Sequence, residues 1–219
     1  MENFTDKKRA FIESFHVPVS EELEELRRIN EEAGVPLILR ETEDLLSLLL
    51  ERIKPKRILE IGTGYGYSSI FFATKRSDAE ITTIEKSPKM AAKAEKYISE
   101  YVKDGRIEMI QGDAVDILPT LDASKPYDFV FIDASKSHYA EFFDLAEKLC
   151  APGATVVCDN ILMHGWIYDP DIEGAYRNRT SAKRMKDFLK YIKERQDLTA
   201  TYSSGGDGLA VIKLSESKR

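Results

Sequence analysis

The spacing of hydrophobic residues changes close to residue 56. Before that point apolar residues recur every three or four positions, as on one face of an amphipathic helix. This pattern predicts one helix over 21–34, capped by Ser20, and a second over 41–53 that ends before Pro55. The first part of the chain is therefore predicted to be helical.

Beyond residue 56, short apolar runs rich in β-branched residues alternate with amphipathic segments. The runs lie at 57–62, 81–85, 106–113, 127–133 and 154–159, with helical segments at about 67–76, 87–103 and 138–149. Strand–helix alternation at this repeat is typical of βαβ units in a parallel sheet with helices on both faces. The fold class predicted is α/β with a doubly wound sheet.

The end of the chain has a different pattern. Two β-type runs, 198–203 and 209–214, flank the sequence SGGDG, which predicts a hairpin and an antiparallel last strand. Residues 160–180 show no clear periodicity. Loops of that length inside a compact domain are usually functional or disordered, and the aromatic residues here favour function.

Charge and cysteine content narrow the class of protein. The 219 residues carry 32 Lys and Arg against 38 Asp and Glu, a net charge of −6, which excludes a uniformly basic nucleic-acid coat. Cys150 and Cys158 follow apolar residues, which predicts buried thiols in a reducing compartment and hence a cytoplasmic protein. The longest apolar run, 45–50, is too short for a membrane span, so no membrane partner is expected.

A glycine-rich turn follows the first predicted strand. The sequence LEIGTGYG at 59–66 would let the backbone approach a ligand at the carboxyl end of that strand. Glu85 and Asp113 end the next two strands, where carboxylates suit the ribose hydroxyls and the adenine amino group of an adenosine. A plain tight turn is the alternative, and three strand ends with acids favour the nucleoside site.

The spacing of these glycines separates two adenosine cofactors. NAD-binding turns have the pattern GxGxxG and leave a helix N-terminus free for pyrophosphate. Here the pattern is GxGxG after Glu60, an acid that would repel phosphate and suit a methionine ammonium group. The turn therefore favours S-adenosylmethionine, with an NAD-dependent oxidoreductase as a rival.

Oxygen ligands end two further strands. Asp133 ends one strand and Asp159–Asn160 end another, so the three side chains should meet at one edge of the sheet. Carboxylate and amide oxygens suit a hard cation such as Mg²⁺, and no histidine or cysteine cluster favours zinc. Singly each residue could be a helix cap; together they predict a metal site.

With LEIGTGYGYSS, Glu85, GDA, FIDASKSHY and CDNILMHG, the sequence resembles the Mg²⁺-dependent catechol/caffeoyl-CoA-type O-methyltransferases over about residues 36–214. The resemblance implies a class I, Rossmann-like sheet of seven strands with the last one antiparallel, and homodimers. It divides the chain into an N-terminal helical cap, 1–35, and an S-adenosylmethionine-dependent methyltransferase domain, 36–219.

The resemblance also implies that Asp133, Asp159 and Asn160 hold the metal and that Lys136 beside Asp133 is the catalytic base. The implied cofactor contacts are Ile38, Arg40, Glu60, Gly62, Ser68, Glu85, Asp113, Ala114 and Asp133.

Within that family the DASK block and the RNRTSAKRM segment resemble the bacterial tRNA 5-hydroxyuridine methyltransferases. Residues 177–195 hold eight basic and two acidic side chains, so this segment could follow an RNA backbone. The candidate RNA contacts, for a tRNA anticodon stem-loop, are Arg177, Arg179, Lys183 and Arg184. Three alternatives stay open: a solvated helix face, a small catechol or phenolic substrate, and a non-catalytic RNA-binding module.

Overall fold

The computed structural model describes residues 4–216. In chain order its helices and strands are α1 (Phe4–Glu13), α2 (Glu21–Glu32), α3 (Arg40–Ile53), β1 (Arg57–Ile61), α4 (Tyr67–Lys75), β2 (Glu80–Glu85), α5 (Pro88–Lys103), β3 (Ile107–Gln111), α6 (Ala114–Ile117), β4 (Tyr127–Ile132), α7 (Tyr139–Glu147), β5 (Cys150–Asp159), α8 (Ala175–Glu194), β6 (Thr199–Ser203) and β7 (Leu209–Lys213).

The seven strands form one sheet in the order β3-β2-β1-β4-β5-β7-β6. Strands β1 to β5 are parallel, and β7 is antiparallel to both β5 and β6. The strand order reverses direction between β1 and β4. Ile61, the last residue of β1, pairs with Ile84 of β2 on one side and with Ile132 of β4 on the other. This topology confirms the predicted doubly wound sheet with an antiparallel last strand.

The strands are apolar because helices cover both faces of the sheet. All of Ile58, Leu59, Glu60 and Ile61 in β1 are at most 1% exposed. One face contacts α6, α7 and α8 through a large apolar cluster, and the other contacts α2, α3, α4 and α5 through a second. Burial on both faces explains the continuous hydrophobic runs seen in the sequence.

Helix α2 belongs to the second of these clusters. Its Leu23 and Leu26 are buried there together with Leu46 of α3. The guanidinium of Arg27, 4% exposed, donates to Glu43 Oε2 at 2.6 Å and to the hydroxyl of Tyr67 at 3.0 Å. Removing either partner of a buried pair leaves an uncompensated charge, so this network fixes α2 to α3 and α4.

Several local features differ from the sequence pattern. Helix α1 lies in the part predicted to be helical, but the pattern gave no bounds for it. Strand β5 begins at Cys150 rather than 154, and α8 already begins at Ala175. Cys158 is buried as expected, whereas Cys150 is only partly buried, since it lies at the start of its strand. Within residues 4–216, none of the helices has the length and apolar character that a bilayer span requires.

Candidate active site

A cavity of about 430 Å³ lies at the carboxyl ends of the parallel strands, beside the point where the strand order reverses. This is where ligands bind in open α/β sheets. Nine of the residues predicted for the site line it: Ile38, Gly62, Ser68, Glu85, Asp113, Ala114, Asp133, Lys136 and Asn160. The fold thus brings the glycine turn, the strand-end acids and the base candidate to one place.

The glycine turn is held close to β4. Gly62 has φ +103°, and a Cβ on it would collide with the backbone carbonyl of Asp133. The Gly64 amide donates to Glu85 Oε2 at 3.0 Å, and the Ser87 amide donates to Glu85 Oε1 at 2.7 Å. The carboxylate of Glu85 is therefore oriented by backbone amides at the edge of the cavity.

Asp113 lies at the next strand end and caps α6. Its Oδ1 accepts from the Val115 amide at 3.2 Å, and its Oδ2 pairs with Lys86 at 2.5 Å. The Lys86 ammonium holds the pKa of Asp113 below its usual range. Asp113 is therefore ionised and accepts hydrogen bonds at the cavity wall, where Lys86 also lies.

Glu60 is not among the lining residues. It is completely buried beneath the glycine turn, where the Ser69 hydroxyl donates to its Oε2 and its Oε1 has no partner. Burial raises the pKa of Glu60 to about 7. Its predicted contact with the cofactor stays a prediction; the side chain is bonded to the first turn of α4 through Ser69.

Arg40 is also turned away from the cavity. Its two terminal nitrogens each lie 2.8 Å from an oxygen of Glu24 in α2, in a bidentate pair. Ile38, two residues earlier, does line the cavity, and its carbonyl accepts a hydrogen bond from Arg27 at 3.2 Å. The segment before α3 is thus anchored from both sides by arginines.

The proposed metal ligands lie at the ends of β4 and β5. Asp159 is buried, its Oδ1 accepts from the Asn160 amide at 2.7 Å, and its Oδ2 has no partner. Burial, together with the charge of Asp133, raises the pKa of Asp159 to about 7. Within residues 4–216 no three His, Cys, Asp or Glu side chains cluster as a metal site, and the set has only two carboxylates. With the Asn160 amide and an unpaired buried oxygen, it nevertheless fits a hard divalent cation.

Lys136 contacts two members of this group. Its Nζ lies 2.7 Å from Asp133 Oδ1 and 3.2 Å from the hydroxyl of Tyr139. Tyr139 in turn donates to the backbone carbonyl of Asp159 at 2.7 Å. A single chain of hydrogen bonds therefore joins the base candidate to both carboxylate-bearing strands.

Some lining residues had no individual role predicted from the sequence. Met90 and Phe142 are apolar residues of helices, and Tyr65 stacks on Tyr97 with ring centroids 6.4 Å apart. His164 has no partner pattern in the sequence, yet it lines the cavity from a loop where it has φ +57°. The three loop residues Asn160, Met163 and His164 all have left-handed backbones, which non-glycine residues rarely adopt.

The basic segment forms α8, beside the cavity mouth. None of Arg177, Arg179, Lys183 and Arg184 lines the cavity, but Arg184 Nη1 lies 3.4 Å from the carbonyl of Ser137, just beyond Lys136. The guanidinium of Arg179 lies 4.2 Å from the ring centre of Tyr176, and that tyrosine is 77% exposed. Apolar residues of α8, Met185 among them, face the core, so the charges lie on the opposite, solvent-facing side.

Comparison with known proteins gives matches over nearly the whole chain. A sequence profile described as O-methyltransferase matches residues 13–214. A Niastella koreensis protein named catechol O-methyltransferase is 37% identical over 156 residues, 67% of this chain and 71% of that protein.

Solved structures agree with the sequence matches. The O-methyltransferase TomG of Streptomyces achromogenes, involved in tomaymycin synthesis and solved with S-adenosylmethionine, is 33% identical with a TM-score of 0.79. The match covers 95% of this chain and 96% of that one. The Podospora anserina methyltransferase PaMTH1, bound to S-adenosylhomocysteine, is 25% identical with a TM-score of 0.87, over 98% of this chain and 96% of that one.

Proposed function

The chain belongs to the O-methyltransferase family, and from that premise we propose that it methylates 5-hydroxyuridine at the tRNA wobble position, using S-adenosylmethionine and a divalent cation. The product would be 5-methoxyuridine. The observation that carries the donor site is the set of acids at neighbouring strand ends around one cavity, Glu85 and Asp113 above all. The acceptor and the metal are the parts of the proposal that go beyond family membership.

The residues of the cavity divide the work between donor and acceptor. Glu85 suits the ribose hydroxyls and Asp113 the adenine amino group, while Gly62 lets the glycine turn lie close against the end of β4. Asp133, Asp159 and Asn160 would hold the cation, Mg²⁺ or another divalent metal. When bound, such a cation lowers the pKa of an acceptor hydroxyl and orients it. Most of the catalysis then comes from positioning donor and acceptor in line.

Lys136 is the proposed proton acceptor for the reacting hydroxyl. Lys136 lines the cavity, and its Nζ is held in place by Asp133 and Tyr139. A base must lie within hydrogen-bonding reach of the proton it takes, and this position beside the proposed metal ligands satisfies that condition. Asp133 would thus serve the reaction both as ligand and as the partner that orients the base.

Helix α8 supports an RNA acceptor. Its Arg184 lies 3.4 Å from the carbonyl of Ser137, the residue after the cavity-lining Lys136, and the exposed Arg179–Tyr176 pair offers a cationic and a stacking surface. Proteins bind single-stranded RNA loops through arginine contacts to phosphate and through aromatic side chains that stack on unpaired bases. The hydroxyl and neighbouring carbonyl of 5-hydroxyuridine form an oxygen pair suited to one cation.

A small catechol or phenol is the second candidate acceptor. It is favoured by the Niastella koreensis relative, whose name is catechol O-methyltransferase. A catechol presents a similar pair of neighbouring oxygens, so the same three ligands would serve. The basic face of α8 would then have no part in the reaction.

Two other rivals fit less well. An NAD-dependent oxidoreductase conflicts with membership of the O-methyltransferase family, whose profile matches residues 13–214. A non-catalytic RNA-binding module would have no need of a buried, unpaired Asp159 oxygen beside a cavity. Loss of methylation with retained RNA binding in Asp159→Ala would exclude that module directly.

The deciding experiment measures methyl transfer from labelled S-adenosylmethionine to tRNA carrying 5-hydroxyuridine and, in parallel, to catechol. Each reaction is run with Mg²⁺ and with EDTA. Labelled tRNA that requires the metal supports the proposal, whereas labelled catechol with inert tRNA replaces the acceptor. Activity that persists in EDTA and in Asp159→Ala would remove the metal.

The proposal includes a cytoplasmic homodimer. A tRNA substrate and reduced cysteines are consistent with the cytoplasm. Phe11, Phe15 and Val17 are 64–77% exposed, which leaves apolar surface beside α1 for a second copy. Sedimentation at several concentrations tests the dimer.

A further inference from the structure

The turn between β6 and β7 contacts both walls of the cavity. This turn, residues 204–208, carries the sequence Ser-Gly-Gly-Asp-Gly. On one side it meets the start of α3, directly after Ile38, and on the other it meets the loop of Asn160 and His164. Ile38, Asn160 and His164 all line the cavity, whereas the turn itself does not.

The bonds to the loop come from both the backbone and the side chain of Asp207. Its carbonyl accepts from the Leu162 amide at 2.9 Å, and its Oδ1 accepts from the His164 amide at 2.7 Å. The Gly208 carbonyl accepts from the Ile161 amide at 3.1 Å. The loop is therefore bonded to the turn at three of its backbone amides.

The hydrogen bond between the Asp207 side chain and the His164 amide lies at the part of the loop whose backbone conformation is unfavourable. Met163 and His164 have φ of +53° and +57°, a left-handed region that is unfavourable for residues with a Cβ. Such conformations persist only where neighbouring groups hold them. Asp207 is suited to this, since its carboxylate is 12% exposed and lies 3.6 Å from the His164 ring as well.

The bond to the other wall comes from Glu41, in the first turn of α3. Its Oε2 accepts from the Gly206 amide at 2.5 Å, across 165 positions of the chain. Gly206 has φ +62°, and its Cα lies so close to α3 that a Cβ would come within 3.0 Å of Thr42 Oγ1. The turn is thus bonded to α3 as well as to the loop.

From these contacts we propose that Asp207 and Glu41 are positioning residues of the methyl transfer. The turn between β6 and β7 sets the separation of the donor wall, at Ile38, from the acceptor wall, at Asn160 and His164. This inference rests on the proposed function, because it assigns the walls to donor and acceptor. Neither residue touches the cavity, so each acts through the segment it holds.

Fluorescence of the only tryptophan tests the Asp207 contact without any turnover. Trp166 follows the loop, with its ring 5.3 Å from that of His164, and the chain has no other tryptophan. Asp207→Ala should shift the emission and increase acrylamide quenching, since the loop loses its anchor. Asp207→Asn keeps an acceptor oxygen and should restore the wild-type spectrum. Asp122→Ala is the matched control, since Asp122 also accepts from a turn amide, that of Ser124 at 2.9 Å, and does not line the cavity.

Kinetics and calorimetry test the two walls separately. Asp207→Ala should lower kcat on the order of 100-fold with a small change in the KM for S-adenosylmethionine, because about 1 Å of misplacement has that effect. Glu41→Ala should weaken S-adenosylhomocysteine binding on the order of ten-fold, and Glu41→Gln should restore it.

An Asp207→Ala spectrum identical to wild type, or an altered spectrum with unaltered kcat, would overturn the Asp207 assignment. Unchanged S-adenosylhomocysteine affinity in Glu41→Ala would overturn that of Glu41. If the wild type methylates neither acceptor, the proposed function fails, while fluorescence and calorimetry still decide the positioning.

Discussion

Nζ of Lys136 lies 2.7 Å from Oδ1 of Asp133, the residue that directly follows β4. The two side chains are about a quarter exposed, so the pair is open to the cavity rather than sealed in the core. One carboxylate thus pairs with the proposed base and would also hold the proposed cation. Replacing Lys136 leaves this carboxylate in place, so the role of the base can be tested apart from that of the cation.

Replacing Lys136 with Met should lower kcat on the order of 100- to 1,000-fold, because the proton acceptor is lost. The affinity for S-adenosylhomocysteine should change little, since the ribose and adenine partners are elsewhere. Steady-state kinetics and calorimetry measure these two effects. Lys75→Met is the matched control, because Lys75 is similarly exposed and pairs with an acid, Glu51, at 3.0 Å, but does not line the cavity. Full activity of Lys136→Met with Mg²⁺ present would remove the base assignment.

Buried Glu60 should make stability depend on pH. Its pKa is raised to about 7 in the folded protein, whereas an ordinary glutamate has 4.5, so between these values the folded chain retains a proton that the unfolded chain has released. The free energy of unfolding therefore falls as pH rises through this window, by at most about 3 kcal/mol from this group, and levels off above it.

Glu60→Gln should remove this part of the slope. Urea unfolding at pH 5 and pH 8 measures it as the difference between variant and wild type at the two values. Glu80→Gln, in an exposed position at the start of β2, should leave the slope unchanged. An equal slope in Glu60→Gln and wild type would show that the carboxyl is not protonated in the fold.

Gly62 and Gly64 should respond very differently to alanine. A Cβ on Gly62 meets the Asp133 carbonyl, a backbone atom that cannot move aside, whereas a Cβ on Gly64 has open space. Gly62→Ala should therefore lower the free energy of unfolding by on the order of 3 kcal/mol and abolish cofactor binding. Gly64→Ala should lose only about 1 kcal/mol, from its left-handed backbone. Thermal melts with and without S-adenosylhomocysteine compare the two, and similar losses would contradict the close approach of β1 and β4.

Charge reversal on α8 should separate the two acceptors. Arg177→Glu combined with Arg179→Glu should weaken tRNA binding and make it less dependent on salt, by a slope of about 0.7–0.9 for each phosphate that is no longer neutralised. Methylation of catechol should be unaffected, because neither residue lines the cavity. Lys190→Glu, on the same helix and about three turns away, is the control. Filter binding at several salt concentrations measures the slope, and unchanged tRNA binding would leave α8 as a solvated surface.

Much of the fold and part of the site follow from the sequence alone. Apolar runs at βαβ spacing predicted the doubly wound sheet, and acids at strand ends predicted which residues meet, because parallel strands bring their carboxyl ends to one edge. Glu85, Asp113 and Asp133 line the cavity as that rule requires. Local patterns are sufficient for this prediction, because the residue at which a strand ends is set by the sequence of that strand.

Only the tertiary structure decided how side chains at that edge are used. Glu60 is buried within β1 and Arg40 pairs with Glu24, so neither lines the cavity, and their contacts with the cofactor stay predictions. Asp207 and Glu41 meet segments 43 and 165 positions away, and no local pattern marks them. Such contacts depend on how distant elements pack, so the sequence determined which residues reach the edge, and packing determined which of them face the cavity.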